Sequence, residues 1–202
     1  MSQVQQAYAQ VASRYIELFG SGAHEHADDL SLIVRHLTGI AGPVIDLGCG
    51  PGHLTAFLAA RGAEVTGIDQ VPEFIAHSRR THPTSHFELG SITAIDRPDD
   101  SVAGALAWYS LIHLHPDELP GALAEIRRIL RPGGRLVVGF FEGPTLEPFA
   151  HQVTTAYRWP VDEFACSLSA AGFEVTDRLQ RPAHGERRPH AAVAVTAVGT
   201  LA

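Results

Sequence analysis

Residues 44–52 read VIDLGCGPG. A short apolar run carrying Asp46 gives way to Gly48, Gly50 and Gly52, each separated from the next by one residue. His53 and Leu54 then open HLTAFLAARG, a helical pattern that Gly62 stops. A buried strand, a bare loop and a helix start are the parts that bring backbone close to a ligand. The spacing departs from the nicotinamide pattern G-x-G-x-x-G, because His53 stands where the third glycine belongs. Asp46 also lies within the strand end, where a carboxylate repels a pyrophosphate and attracts a cation. The loop therefore suits a nucleoside that carries positive charge and no phosphate.

The flanking sequence alternates strand and helix. Strands are expected at PVIDL, AEVTGID, SHFEL, SVAGALAWYSL and RLVVGFFE, with helices at HLTAFLAARG, PEFIAHSRRTH and DELPGALAEIRRIL and an RPGG turn before the fifth strand. This order predicts a parallel sheet covered on both faces. A further helix, VDEFACSLSAAG, precedes FEVTDRLQR and HAAVAVTAVG, which only PAHGERRP joins; so short a connection makes them an antiparallel hairpin. Two helices, over 3–19 and 29–38, come first and are expected to lie over the carboxyl edge of the sheet as a lid. The expectation is one α/β domain over 1–202 with a Rossmann-like, seven-stranded, mostly parallel sheet whose last strand is antiparallel. It comprises a helical lid at 1–40, a ligand-binding core at 41–142, a substrate-facing insertion at 143–160 and a helix with hairpin at 161–202.

Composition narrows the chemistry. The chain has 202 residues and a formal charge of −7, which argues against tight non-specific nucleic-acid binding. All 15 basic residues are arginine, so a Schiff-base or P-loop lysine is excluded, and there is no asparagine either. Two cysteines, Cys49 and Cys166, build no disulfide framework. No apolar run reaches the roughly 18 residues of a membrane span, and the start lacks a secretory pattern. A reducing cytoplasm is the expected setting.

VIDLGCGPGHLT resembles the first motif of class I S-adenosylmethionine-dependent methyltransferases, and the likeness continues along most of the chain. The resemblance implies S-adenosylmethionine as cofactor and S-adenosylhomocysteine as product. It places Asp46, Gly48, Cys49, Gly50, His53 and Leu54 around the cofactor, and Asp69 of TGIDQV on the ribose hydroxyls, flanked by Gln70 and Val71. Gly90, Ser91 and Ile92 of LGSITAI fall at the adenine, with Ser91 where the family usually has aspartate. WYSLIHL brings Trp108, Tyr109, Ser110 and His113 beside the methionine portion; RRILRPGGRLVV and LSAAGFEV resemble later family segments. In similar small methyltransferases an N-terminal helix carries a tyrosine or arginine to the cofactor's carboxylate, which implicates Tyr8 and Tyr15, on one helical face.

Methyl transfer from a sulfonium is an in-line displacement that depends on positioning and exclusion of water. An alcohol or phenol acceptor also gains from a base. His113 is the first candidate, ahead of His115 and His151. TLEPFAHQVTTAYRWP is the expected acceptor-facing insertion, with Phe149, His151, Tyr157, Arg158 and Trp159 as its candidate lining. The place of the amino-methylating DNA enzymes' tetrapeptide reads WYSL, neither cysteine is placed for cytosine C5 chemistry, and the catechol-type metal set lacks its asparagine. A small-molecule acceptor with an O, N or C nucleophile is expected, in a monomer or homodimer with no nucleic acid, membrane or metal.

Plainer roles stand beside these. Asp69 could cap the following helix, Ser91 could serve a turn, and the tyrosines could be core. The pairs His24/His26 and His113/His115 lack the acidic or cysteine partner of a metal site, and the twin arginines at 79–80, 127–128 and 187–188 suit solvated faces. Two rival functions are a non-catalytic S-adenosylmethionine-binding protein and a nicotinamide-dependent oxidoreductase.

Overall fold

Strand β1 (Val44–Leu47) is buried at every residue and forms the middle of the sheet. A computed structural model of the protein describes residues 2–22, 25–185 and 187–199. In it β1 pairs in parallel with β2 (Val65–Asp69) on one side and β4 (Val102–Trp108) on the other. Next to β2 lies β3 (His86–Leu89), and next to β4 lies β5 (Leu130–Glu142), both parallel. The last strand, β9 (His190–Ala197), runs antiparallel between β5 and β8 (Phe173–Arg181). Strand order reverses between β1 and β4, the place where open α/β sheets bind ligands.

Alternation along these strands feeds two apolar layers, which is why they read as unbroken apolar runs. Leu136, Val138 and Phe140 of β5 face one layer, built with α5 (Leu119–Ile129) and α6 (Val161–Ala170). Val137 faces the other, as do Leu106 and Trp108 of β4, against α2 (Ala27–Leu37) and α3 (His53–Ala59). Ala192 and Ala194 of β9 face α2's layer, while Val193 and Val195 face α6's. Helix α4 (Pro72–Thr81) connects β2 to β3 and starts on Pro72, whose missing N–H has no partner to lose there.

Helix α1 (Gln3–Phe19) is held differently. Ser2 caps it by accepting the Gln5 N–H at 3.1 Å. Only Ala12 of the helix is buried, within a small cluster where Tyr8, Ala9, Tyr15 and Ile16 meet Val71 and Phe74. It therefore lies against α4 rather than on the main core.

Three expectations change. Nine strands appear among the described residues rather than seven, because the 143–160 segment forms a hairpin, β6 (Glu147–Ala150) and β7 (Thr155–Trp159). β7 pairs with Phe141 and Glu142 of β5. β9 already occupies one edge of β5 as far as Phe141, so β7 takes the edge that β4 vacates after Trp108. The fourth strand stops at Trp108 rather than Leu111, because Tyr109 turns into the left-handed region at φ +55°. RPGG is looped out within β5 rather than preceding it: Val102 pairs with Leu130, and the next partner of β4 is Arg135.

Candidate active site

The carboxyl ends of β1, β2 and β4 open into a cavity of about 950 Å³. Its floor is the glycine loop. Gly48 and Cys49 both donate their N–H groups to the Ile68 carbonyl, at 2.7 and 3.0 Å. Gly48 has φ +72°, and a Cβ there would stand 2.4 Å from the Ser110 Cβ, so the first loop position admits only glycine. At Gly50, φ +52°, an added Cβ would meet nothing within 4 Å; it would project into open space at the cavity wall.

Two buried acids flank the loop. Asp69 accepts the Gly50 N–H at 2.9 Å on one oxygen and the Val71 N–H at 2.8 Å on the other. Burial pushes its pKa upward against these hydrogen bonds. Asp46 accepts the Thr55 hydroxyl at 2.6 Å, and burial pushes its carboxyl up to about 6 although that bond opposes the rise. A third acid, Glu25, comes from the segment before α2: it accepts the Trp108 indole N–H at 3.1 Å and lies 3.2 Å from His53 Nε2. No arginine pairs with Glu25, Asp46 or Asp69 among the described residues, so this half of the cavity is negative.

The wall toward α1 is aromatic. Tyr8 and Tyr15 pack edge to face with centroids 5.5 Å apart, and burial raises the pKa of both, that of Tyr15 to about 12. His113 Nδ1 lies 2.8 Å from the Thr155 carbonyl, which only accepts, so Nδ1 carries the ring proton. Its Nε2 lone pair then accepts the Tyr8 hydroxyl at 2.8 Å. Burial lowers the His113 pKa, which keeps the ring neutral.

The far half of the cavity has the opposite character. Tyr109, Phe141, His151, Arg181, Arg187, Arg188 and His190 line it. Buried Asp29 is clamped by Arg181 at 3.0 and 2.5 Å and lies 3.2 Å from His190 Nε2, while His190 Nδ1 meets the Tyr109 hydroxyl. His151 has an unpartnered buried Nδ1, and burial, aided by His113 and Arg188, lowers its pKa to about 4.

Residues 44–134 match a family model described as a methyltransferase domain. The chain is 35% identical over 135 residues to the malonyl-(acyl-carrier protein) O-methyltransferase of Salmonella typhimurium, covering 66% of this chain and 51% of that protein. It is 38% identical over 93 residues to an uncharacterized methyltransferase of Mycobacterium tuberculosis, covering 46% and 37% of the two. The chain thus spans about half or less of the length of these curated relatives. Its fold matches that of Burkholderia thailandensis 1,6-didemethyltoxoflavin-N1-methyltransferase, solved with 1,6-didemethyltoxoflavin and S-adenosylhomocysteine bound. The TM-score is 0.75 at 24% identity, over 98% of this chain and 92% of that one.

The match over 44–134 and the shared fold point to the class I S-adenosylmethionine-dependent methyltransferases. The fold alone is shared with the (4+2) cyclase SpnF, at TM-score 0.79 and 22% identity over 98% and 97% of the two chains.

In this chain the structure brings together Tyr8, Tyr15, Asp46, Gly48, Cys49, Gly50, His53, Leu54, Asp69, Gln70, Val71, Gly90, Ile92, Trp108, Tyr109, Ser110, His113 and His151 at one cavity. Ser91 does not line it; its hydroxyl accepts the Thr93 N–H at 3.2 Å and lies 2.9 Å from the Thr93 hydroxyl, a turn role. Phe149, Tyr157, Arg158 and Trp159 do not line it either. Trp159 packs edge-on against Phe164 in the core, Tyr157 meets His115, and Arg158 lies 3.5 Å from Glu147. Phe149 lies beneath the guanidinium groups of Arg158 and Arg188, at 5.2 and 4.7 Å. His24 lies outside the described residues. Among these residues no group of three or more His, Cys, Asp or Glu side chains is arranged for a metal, and no helix is long and apolar enough to cross a membrane.

Sequence reading missed Glu25, Asp29, Arg181 and His190, and it assigned Arg187 and Arg188 to a solvated face. The signal was the basic, histidine-bearing connection ahead of β9. It reads as a plain hairpin loop until β9 is seen inserted beside β5, which carries the loop to the cavity mouth.

Proposed function

We propose that this chain transfers the methyl group of S-adenosylmethionine to a small-molecule acceptor held in the same cavity. The observation that carries the reading is the continuity of that cavity from the acidic glycine-loop half to the basic, aromatic half. A volume of about 950 Å³ is at the upper end of small-ligand sites, roughly 300–1,000 Å³, as a nucleoside cofactor and an acceptor together require.

The residues fit the cofactor. The open Cβ position at Gly50 provides a bare cradle, and the Asp69 carboxylate, with four lone-pair sites and two in use, retains capacity for ribose hydroxyls. Gly90 and Ile92 would face the adenine, and Asp46 and Glu25 would attract the cationic methionine end. When bound, the cofactor supplies an electrophilic methyl group on a sulfonium. Tyr8 and His113 close the wall against water. His151, Arg187 and Arg188 would orient the acceptor. The Salmonella relative is named for an O-methyl transfer and the Burkholderia enzyme for an N-methyl transfer, so both atom types enter the acceptor panel. The setting we assign is the reducing cytoplasm.

Calorimetric titration with S-adenosylhomocysteine beside NADH tests the cofactor. Binding of the first alone is expected; binding of NADH instead moves the chain to the oxidoreductase reading. Radiolabelled methyl transfer over a panel of small phenols, ring N–H heterocycles and carboxylic acids then tests the reaction. Tight cofactor binding with no transfer to any of them favours a non-catalytic role.

A further inference from the structure

We propose that Tyr109, His190 and Asp29 form a proton relay that deprotonates an O–H or N–H acceptor as the methyl group moves, with Tyr109 touching the acceptor. The inference rests on the methyl-transfer reading above and names the acceptor's chemistry.

Four elements supply the parts. Tyr109 follows β4, His190 opens β9, Asp29 lies in the first turn of α2, and Arg181 ends β8. Each of the four lines the cavity, and Asp29 and His190 are each only 3% exposed. The unusual backbone at Tyr109, φ +55°, takes its ring off the line of β4 and onto Phe141 and His190, at centroid distances of 4.8 and 5.4 Å.

Charge orders the protons along this chain. Burial alone would raise the Asp29 pKa, but His190 and Arg181 draw it below the usual carboxylate range, so the group is ionised. His190 Nε2 is buried without a hydrogen bond of good geometry and lies 3.2 Å from that carboxylate, where a lone pair would be repelled; Nε2 therefore carries the proton. Nδ1 is left with its lone pair facing the Tyr109 hydroxyl, which donates to it. The phenolic oxygen then presents its own lone pairs to the cavity.

No other cavity histidine has this arrangement. The His113 lone pair is taken by Tyr8, and its Nδ1 faces a neutral carbonyl. His151 neighbours His113 and Arg188, both of which disfavour a second positive charge. His53 pairs with Glu25, on the glycine-loop half.

In the proposed step the acceptor's X–H electron pair forms the X–CH3 bond, and the methyl–sulfur pair stays on sulfur as a neutral thioether. The acceptor's proton passes to the Tyr109 oxygen while the Tyr109 proton passes to His190 Nδ1. The imidazolium so formed is paired with Asp29 and later returns its proton to solvent. Phenols, enols and ring N–H groups need such a relay; a carboxylate acceptor, already ionised, does not. Tyr109 is the catalytic residue here, and Asp29 and Arg181 are positioning residues.

The test joins a structural and a kinetic readout on the S-adenosylhomocysteine-binding chain. Nitrogen-15 NMR is expected to show His190 protonated at Nε2 and bare at Nδ1, with the Nδ1 resonance displaced in Tyr109→Phe and the tautomer changed in Asp29→Asn. The opposite wild-type tautomer overturns the relay, whatever the kinetics. With phenolic or ring N–H acceptors, Tyr109→Phe and His190→Gln are expected to lower kcat about 100-fold or more at saturating cofactor. Unchanged kcat in Tyr109→Phe overturns it, as does a panel in which only carboxylic acids react. If S-adenosylhomocysteine binds and no acceptor reacts, the chain is non-catalytic and the relay is overturned whatever the tautomer. Loss of S-adenosylhomocysteine binding in the wild-type protein instead overturns the methyl-transfer reading and the relay with it.

Discussion

The carboxylate of Asp69 holds the backbone of Gly50 across the gap between β2 and the glycine loop, accepting its N–H at 2.9 Å. The same side chain accepts the Val71 N–H in a turn that leads into α4, whose N-cap, Val71, has no side-chain cap bond. Asp69→Ala should weaken S-adenosylhomocysteine binding by about 1–3 kcal/mol, the scale of a lost charge-assisted hydrogen bond. Calorimetry at constant ionic strength measures it, and an unchanged Kd would remove Asp69 from the site.

Asp46 makes the ligand-free protein sensitive to pH. Its folded-state pKa, raised by burial to about 6, lies above that of the unfolded chain. The folded state then binds the proton more tightly, so the stabilisation is fully present below pH ~4 and is gone once the pH has risen past about 6. A loss of up to ~3 kcal/mol over this window is expected from urea denaturation. Asp46→Asn keeps an acceptor for Thr55 and should flatten the slope while weakening binding of the cationic cofactor. A slope that persists in Asp46→Asn would assign it to another group.

The two cysteines should differ sharply in reactivity. Cys49 is buried, and burial pushes its thiol well above the ordinary value, whereas Cys166 is exposed on α6. A thiol reagent at pH 8 should titrate one group in the native protein and a second only on denaturation. Fast labelling of both would show that the glycine loop opens.

Helix α1 should be the first element to exchange its amide hydrogens. It is fixed by one small aromatic cluster, by the Tyr8–His113 bond and by bonds from Ser2 and Gln5 to Gln70, while the other helices bury several residues against the sheet. Low local burial gives local opening well below the global barrier. Tyr8→Phe should speed exchange in residues 3–19 several-fold, since a hydrogen bond of this kind contributes about 0.5–1.5 kcal/mol. S-Adenosylhomocysteine should slow it in the wild type; exchange indifferent to the ligand would argue against a lid.

Much of this was legible in the order of residues. VIDLGCGPG, an acid ending the next strand and the regular return of strand and helix specify a parallel sheet with a ligand loop, because period and glycine spacing act over a few neighbouring residues. Asp46 follows from such local logic, whereas Asp69, Tyr8 and His113 were named through the family resemblance; all four line the cavity. The hairpin of 147–159 was not legible, because Trp159 and Phe149 read equally well as a binding wall and as core. Which they are depends on the edge of β5 that β4 leaves free.

The sequence by itself determined the five parallel strands β1 to β5, the glycine loop and Asp46 beside it, since each is marked by residues a few positions apart. Only the tertiary structure decided what faces them. The insertion of β9 between β5 and β8 brings His190 and Arg181 to Asp29, 152 residues from Arg181 along the chain, and sets Tyr109 against them. No periodicity records such a meeting, because it arises from strand order and the packing of α2 over β9 rather than from neighbours in sequence.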